Sequence, residues 1–320
     1  MDRGGQAGRF LTGALLAATC FALAAAAAEL PLRAARWLPP ERQAYALAHA
    51  PGECLKPTGD AQAMRRIAIG RAAFRTPLLL GGQAARAGLS CDSCHRNGRG
   101  NPDFRFPGLS GAPGTADVTS SLMSSHRGDG VGNPTAIPDL AGPAQRLKVS
   151  RDRSSRALET FVHGLIVEEF DGPEPAPLTL DSIAEYVRTL SPGACASSTE
   201  RRIALAAYLA DAGEAMRAAQ YALDAHDPVT ARLMLASART TLGMIDERYA
   251  TPGLARDRQL IGAADLELAA IQKAIDAGDP NVSARIAAWS ARMPRWTAPL
   301  ERDEALSLFN AERLAAALAH

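Results

Sequence analysis

The residues most able to do chemistry are Cys91-Asp92-Ser93-Cys94-His95. Two thiols separated by two residues can add across the two vinyl groups along one porphyrin edge. A histidine directly after the second thiol can then turn beneath the ring and ligate the iron. This spacing is the attachment signature of a c-type haem. A thioredoxin-like dithiol would need a strand before the motif and a βαβ setting, which the sequence does not suggest. A zinc site would need three or four nitrogen or sulfur ligands, and no second CxxC or paired histidine occurs. Haem c therefore ranks above both, with Cys91 and Cys94 as covalent anchors and His95 as the proximal iron ligand.

A low-spin electron-transfer haem needs a second axial ligand, usually Met or His. The candidates are His126 and Met123, in a Gly/Ser-rich loop, then His163 and Met64. His126 is preferred and Met123 comes next. A five-coordinate iron open to a small molecule is the alternative. Arg151, Arg153 and Arg156 could pair with propionates or form a solvated helix start.

The elements that must position this site follow from pattern. Pro-rich residues 29–60 give an extended lead-in, with a short helix around Glu41–His49. Residues 61–75 give a helix capped by Asp60 and stopped by Pro77. From Gly81 to about Arg151 the chain is rich in Gly, Pro, Ser and Asp. So long an irregular stretch makes sense if loops wrap a large rigid cofactor. Helices are expected at Arg153–Val167 and Thr179–Leu190. Beyond Ser198, apolar residues recur at steps of four and three, first Leu205 to Leu223, then Leu235 to Tyr249. Asp-Ala-His-Asp-Pro at 224–228 and Asp-Ala-Gly-Asp-Pro at 276–280 predict two related helical hairpins, each opened by an Asp cap and a Pro. A last helix is expected near Arg302–Leu318.

The fold class is thus all-α: a haem domain with long loops over 29–197, then a helical bundle over 198–320. Of 320 residues, 47% are hydrophobic, 5% aromatic and 22% charged, with a net charge of +1. That composition is globular, favours close-packed helices, and argues against a nucleic-acid partner. Residues 1–28 read as an export signal: Arg3 and Arg9, an apolar Leu11–Ala25, then Ala26-Ala27-Ala28. A periplasmic location follows, without membrane attachment after cleavage. Removal of Cys20 leaves Cys54 and Cys195 beside the haem cysteines. In an oxidising compartment they form a disulfide candidate pinning the lead-in to the domain exit, the alternative being two free thiols.

Gly70-Arg71-Ala72-Ala73-Phe74-Arg75-Thr76-Pro77-Leu78, then Gly88-Leu89-Ser90 and the CxxCH, resembles the opening of a haem domain in the bacterial di-haem cytochrome c peroxidase and MauG-like family. Ile137-Pro138-Asp139-Leu140 is similar to its P-x-L segment, and Phe161–Pro173 with a helix to Leu190 to its closing helices. The likeness covers roughly 65–192. It implies a cytochrome c-like fold, covalent haem c and a periplasmic redox role. Two departures count: the chain has one CxxCH where the family has two haem domains, and no methionine lies between Gly164 and Leu178. Inter-haem electron transfer underlies peroxide reduction in that family. The expectation is therefore a mono-haem electron-transfer cytochrome with a redox partner protein, the C-terminal helices docking a partner or oligomerising. The alternatives are a haem peroxidase or oxidase with an open iron, and a haem-based sensor or interaction protein.

Overall fold

A computed structural model describes residues 31–119, 122–126, 128, 130–143, 146–195 and 200–319. The expected export signal, Cys20 included, lies outside these residues. The described chain is mostly helical, with twelve α-helices: α1 Pro40–Ala48, α2 Ala61–Phe74, α3 Pro77–Leu80, α4 Gly82–Ala87, α5 Cys91–Cys94, α6 Ala157–Gly164, α7 Pro177–Thr189, α8 Leu205–Asp224, α9 Pro228–Arg248, α10 Ala255–Asp276, α11 Val282–Asp303 and α12 Ala311–Leu318. Strand content is small. β1 (His49–Pro51) pairs antiparallel with β4 (Glu200–Arg202), and β2 (Thr115–Ala116) with β3 (Thr135–Ala136).

The bundle forms because α8 to α11 each present an apolar seam. Leu205, Ala212, Met216 and Ala219 on α8 are fully buried, as are Leu235, Ala238, Leu242, Ile245 and Tyr249 along and just past α9. Helix α8 packs on α9, α9 on α10, α10 on α11, and α11 returns to α8, closing a four-helix arrangement. Short connections make successive helices antiparallel neighbours. Trp289 of α11 is buried, and its indole N–H donates to the Ala264 carbonyl of α10 at 3.1 Å, so the ring's polar atom is satisfied inside the core.

Upstream, α2 and α7 cross at Gly70. A Cβ there would stand 2.0 Å from the Ser182 carbonyl oxygen, so only glycine admits this approach. Phe74 of α2 and Tyr186 of α7 seal the crossing with ring centroids 5.2 Å apart. Helix α2 also packs against α8 and α9. One buried cluster therefore runs from Ile67 and Phe74 through Tyr186 to Met216, Leu242 and Trp289. The segments 29–197 and 198–320 share a core, and β1–β4 pairs residues from either side of the expected boundary.

Several local expectations are corrected. Helix α2 ends at Phe74, one residue short of the expected 75, and the Pro77 that stops it also occupies the first turn of α3, where its missing N–H costs nothing. The helix expected from Arg153 begins at Ala157 and passes into a π-helical turn over Leu165–Glu169. The two Asp-Pro copies differ. Asp227 caps α9, accepting from the Thr230 amide at 2.8 Å, with Pro228 at the helix start. Asp279 accepts from the Asn281 amide at 2.8 Å, and α11 starts only at Val282. The last helix is broken as well. Helix α11 runs to Asp303, a 3-10 turn follows, and Asn310 caps a separate α12 by accepting from the Glu312 and Arg313 amides. The break lets Leu308 and Leu314 close a second small core with Leu32 and Leu47.

Candidate functional site

The CxxCH segment is a one-turn helix with a reciprocal cap at its start. The Ser90 hydroxyl accepts from the Ser93 amide, and the Ser90 amide donates to the Ser93 hydroxyl at 3.0 Å. This places Cys91 and Cys94 on one turn. Both are free thiols and half-buried. Burial raises each thiol to about 12. A redox-active dithiol needs the opposite, a thiolate stabilised towards neutral pH, so the site is poorly built for thioredoxin-like exchange.

His95 ends the turn. Its Nδ1 lies 3.0 Å from the Pro138 carbonyl oxygen. A carbonyl can only accept, so Nδ1 carries the proton and Nε2 keeps its lone pair. Burial lowers the imidazole to about 4, against the smaller opposing effects of the Pro138 carbonyl and Asp139. His95 is thus a neutral base at physiological pH, its Nε2 without a hydrogen-bond partner among the described residues. Phe74 stands beside the ring, centroids 6.4 Å apart. Among the described residues no three His, Cys, Asp or Glu side chains gather as a metal-binding group.

The loop after His95 folds back over the CxxCH turn. Asn97 and Gly98 take left-handed backbone angles, φ 52° and 72°. The Asn97 amide donates to Asp92 at 2.8 Å, and the Asn101 amide to the Cys94 carbonyl at 2.9 Å. Asp92 also faces an ionic network behind the site. Arg75 reaches Glu53 at 3.2 Å, Asp211 of α8 at 3.2 Å and Asp92 at 3.6 Å. Arg71 pairs with Glu53 at 2.7 Å and with both Asp211 and Glu214. The Tyr186 hydroxyl donates to Glu53 at 2.7 Å. Burial alone would raise the Glu53 carboxyl, but Arg75, Arg71 and Tyr186 outweigh it and hold it below the usual range. The network joins the CxxCH turn, the α2–α7 crossing and the bundle. Nothing in residue spacing announced it.

Cys54 follows Glu53 and is bridged to Cys195 across 141 residues. The chain entering α2 is thereby fastened to the chain leaving α7.

The sixth-ligand candidates separate clearly. Met123 is 2% exposed and belongs to the apolar cluster that includes Phe104, Phe106, Leu109 and Ile166. His126, three residues on, points outward: its side chain is 62% exposed and its Nδ1 lies 2.9 Å from Asp171. Of the two, Met123 is the interior residue and His126 the outward one. His163 pairs with Glu174 at 2.9 Å, and Met64 is exposed on α2. The arginines weighed for propionates are engaged elsewhere. Arg153 forks onto Glu185, Arg156 onto Asp181, and Arg151 onto the carbonyls of Leu140, Gly142 and Leu190.

Two site roles escaped the sequence reading. Pro138 carries the acceptor for His95, and Gly100 lets the 137–139 segment lie on the loop, since a Cβ there would meet the Ile137 oxygen at 2.8 Å. The clustering of Gly98 and Gly100 after the CxxCH was the available signal. No protein family, curated protein or solved structure matches this chain.

Proposed function

We propose that this protein is an exported mono-haem c-type cytochrome that transfers electrons. Cys91 and Cys94 would hold the haem by thioether bonds, and His95 Nε2 would ligate its iron. The single observation carrying this reading is the state of His95. Its Nδ1–H is committed to the Pro138 carbonyl at 3.0 Å, which leaves Nε2 free beside two unpaired thiols on one turn. The donor set fits the group. One imidazole on the same turn as two thiols suits a metal whose equatorial ligands come from a porphyrin held by those thiols. Bound haem supplies one-electron exchange.

The chain's own residues do the rest. The Ser90–Ser93 cap fixes the attachment turn, Phe74 supports the imidazole, and Asn97 and Asn101 fasten the following loop. Met123 is the preferred sixth ligand, because its thioether lies in the apolar interior while His126 is paired with Asp171 outside. A thioether ligand on the iron would favour electron transfer over an open, peroxide-binding site. The covalent-haem likeness to one domain of the di-haem peroxidase and MauG-like family belongs to this proposal, as do the periplasmic location and a redox partner protein. Among the described residues no helix is long and apolar enough to cross a membrane.

The test is expression with the c-haem maturation machinery, haem staining after denaturing electrophoresis, and a visible spectrum. One covalent haem is expected, low-spin when ferric and unchanged by peroxide or cyanide. Retention of full covalent staining by Cys91→Ser/Cys94→Ser sinks the attachment. A high-spin spectrum that binds those ligands sinks electron transfer and points to an enzyme or sensor. Met123→Ala should convert the spectrum to high spin; an unchanged spectrum removes Met123.

A further inference from the structure

We propose that Arg99 and Asp139 form a clamp that positions the Pro138 carbonyl on His95 Nδ1, and so sets how strongly His95 donates to the haem iron. The inference rests on the haem reading above.

Arg99 approaches Asp139 as a fork. Its Nε lies 2.8 Å from each carboxylate oxygen, and its Nη2 lies 2.7 Å from Oδ2. Such a pairing fixes orientation as well as distance. Arg99 cannot drift, because its amide donates to the Arg96 carbonyl at 2.9 Å and its Nη1 lies 3.3 Å from Cys54 Sγ in the disulfide. On the other side, Asp139 controls the turn that follows Pro138. Its Oδ1 accepts from the Ala141 amide at 2.9 Å, and its carbonyl from the Gly142 amide at 2.9 Å. The two strips of chain touch directly, since a Cβ on Gly100 would lie 3.5 Å from the Asp139 nitrogen and 3.6 Å from the Pro138 carbonyl carbon. The peptide group that receives the His95 proton is thus gripped by the residue immediately after it.

Exposure argues that this grip is positional. The side chains of Arg99 and Asp139 are 33% and 37% exposed, and ion pairs so open to water contribute little to stability. A bidentate pair that adds little stability, placed one residue from the acceptor of an iron ligand, tunes the ligand. A firm Nδ1–H···O bond makes the imidazole a stronger donor, which favours the oxidised iron and lowers the midpoint potential.

Two variants separate positioning from simple charge. Asp139→Asn removes an anion and keeps the acceptor for Ala141; Arg99→Gln removes a cation. If the pair acted only through its charges, the two would shift the midpoint potential in opposite directions, upward for Asp139→Asn and downward for Arg99→Gln. The clamp expects both to shift it upward, with the double variant shifting it no further than the larger single shift. It also expects the His95 Nδ1 proton to exchange with solvent roughly tenfold faster by NMR, the equivalent of losing one ordinary hydrogen bond. Arg99→Lys, a point charge without the fork, should behave like Arg99→Gln. The urea midpoint should stay unchanged in all of them, which shows that folding is intact. Opposite-sign shifts with wild-type proton exchange overturn the clamp while leaving the haem assignment standing. A wild-type protein that stains for no covalent haem overturns both.

Discussion

Gly70→Ala sets two effects of opposite sign against each other. Alanine is favoured over glycine in a helix interior by about 1 kcal/mol, and Gly70 lies well inside α2. The added Cβ, however, would lie 2.0 Å from the Ser182 oxygen, 2.4 Å from the Ser182 carbonyl carbon and 2.9 Å from the Ile183 nitrogen. All three are backbone atoms of α7, so no rotamer change relieves the contact. Ordinary contact begins near 3.4 Å, and the helices must separate by roughly 1.4 Å to reach it. That separation loosens the Phe74–Tyr186 contact and the packing of Ile67, Ala73 and Ile183. Overpacking of this kind costs about 3 kcal/mol where backbone confronts backbone, so the net loss is about 2 kcal/mol. Gly262 in α10 supplies the control, since a Cβ there meets nothing within 4 Å. Gly262→Ala should stabilise by up to about 1 kcal/mol. Urea melts of both variants, compared at constant m-value, read the two signs. A Gly70→Ala protein as stable as wild type would refute the close-crossing argument.

Other outcomes follow from the ionic network and the disulfide. Arg75→Ala removes a cation only 13% exposed, which strips Asp92 of this partner and leaves Glu53 and Asp211 to Arg71 alone. A loss of about 3–5 kcal/mol is expected by denaturant titration, and Arg75→Lys should recover only part of it; a loss below 1 kcal/mol would show the network to be dispensable. Glu53 is held below the ordinary carboxylate range. Its contribution is therefore complete above the unfolded value of about pH 4.3 and lost as pH falls through the lower folded value. The stability gap between wild type and Glu53→Gln should narrow through that acid window, and a gap constant from neutrality into acid would contradict the assignment. Opening the bridge between Cys54 and Cys195 by Cys54→Ser/Cys195→Ser should cost up to about 5 kcal/mol in the chain-entropy account of so long a loop. An unchanged thermal midpoint would mean the crossing holds its ends without the bridge.

Much of this protein was written in local pattern. Cys91, Cys94 and His95 declare a CxxCH turn because three side chains act together within one helical turn. The seams on α8 and α9 declare themselves because burial repeats with the helical period, and Asp60 and Asp227 because capping is a contact of two or three residues. The fusion of the two halves was not readable. It depends on α2 reaching α8 and α9, and on Arg71 and Arg75 meeting carboxylates more than 130 residues away. Met123 and His126 illustrate the same limit at short range. They are three residues apart in one loop, and only the packed interior decided that the thioether turns in and the imidazole turns out to Asp171. The partner of His95 is the clearest case. The sequence by itself determined that an imidazole stands beside two thiols, since side-chain type and spacing carry that information. Only the tertiary structure decided which of its nitrogens is free, because the deciding acceptor is the Pro138 backbone carbonyl, 43 residues downstream, and every residue has a backbone carbonyl.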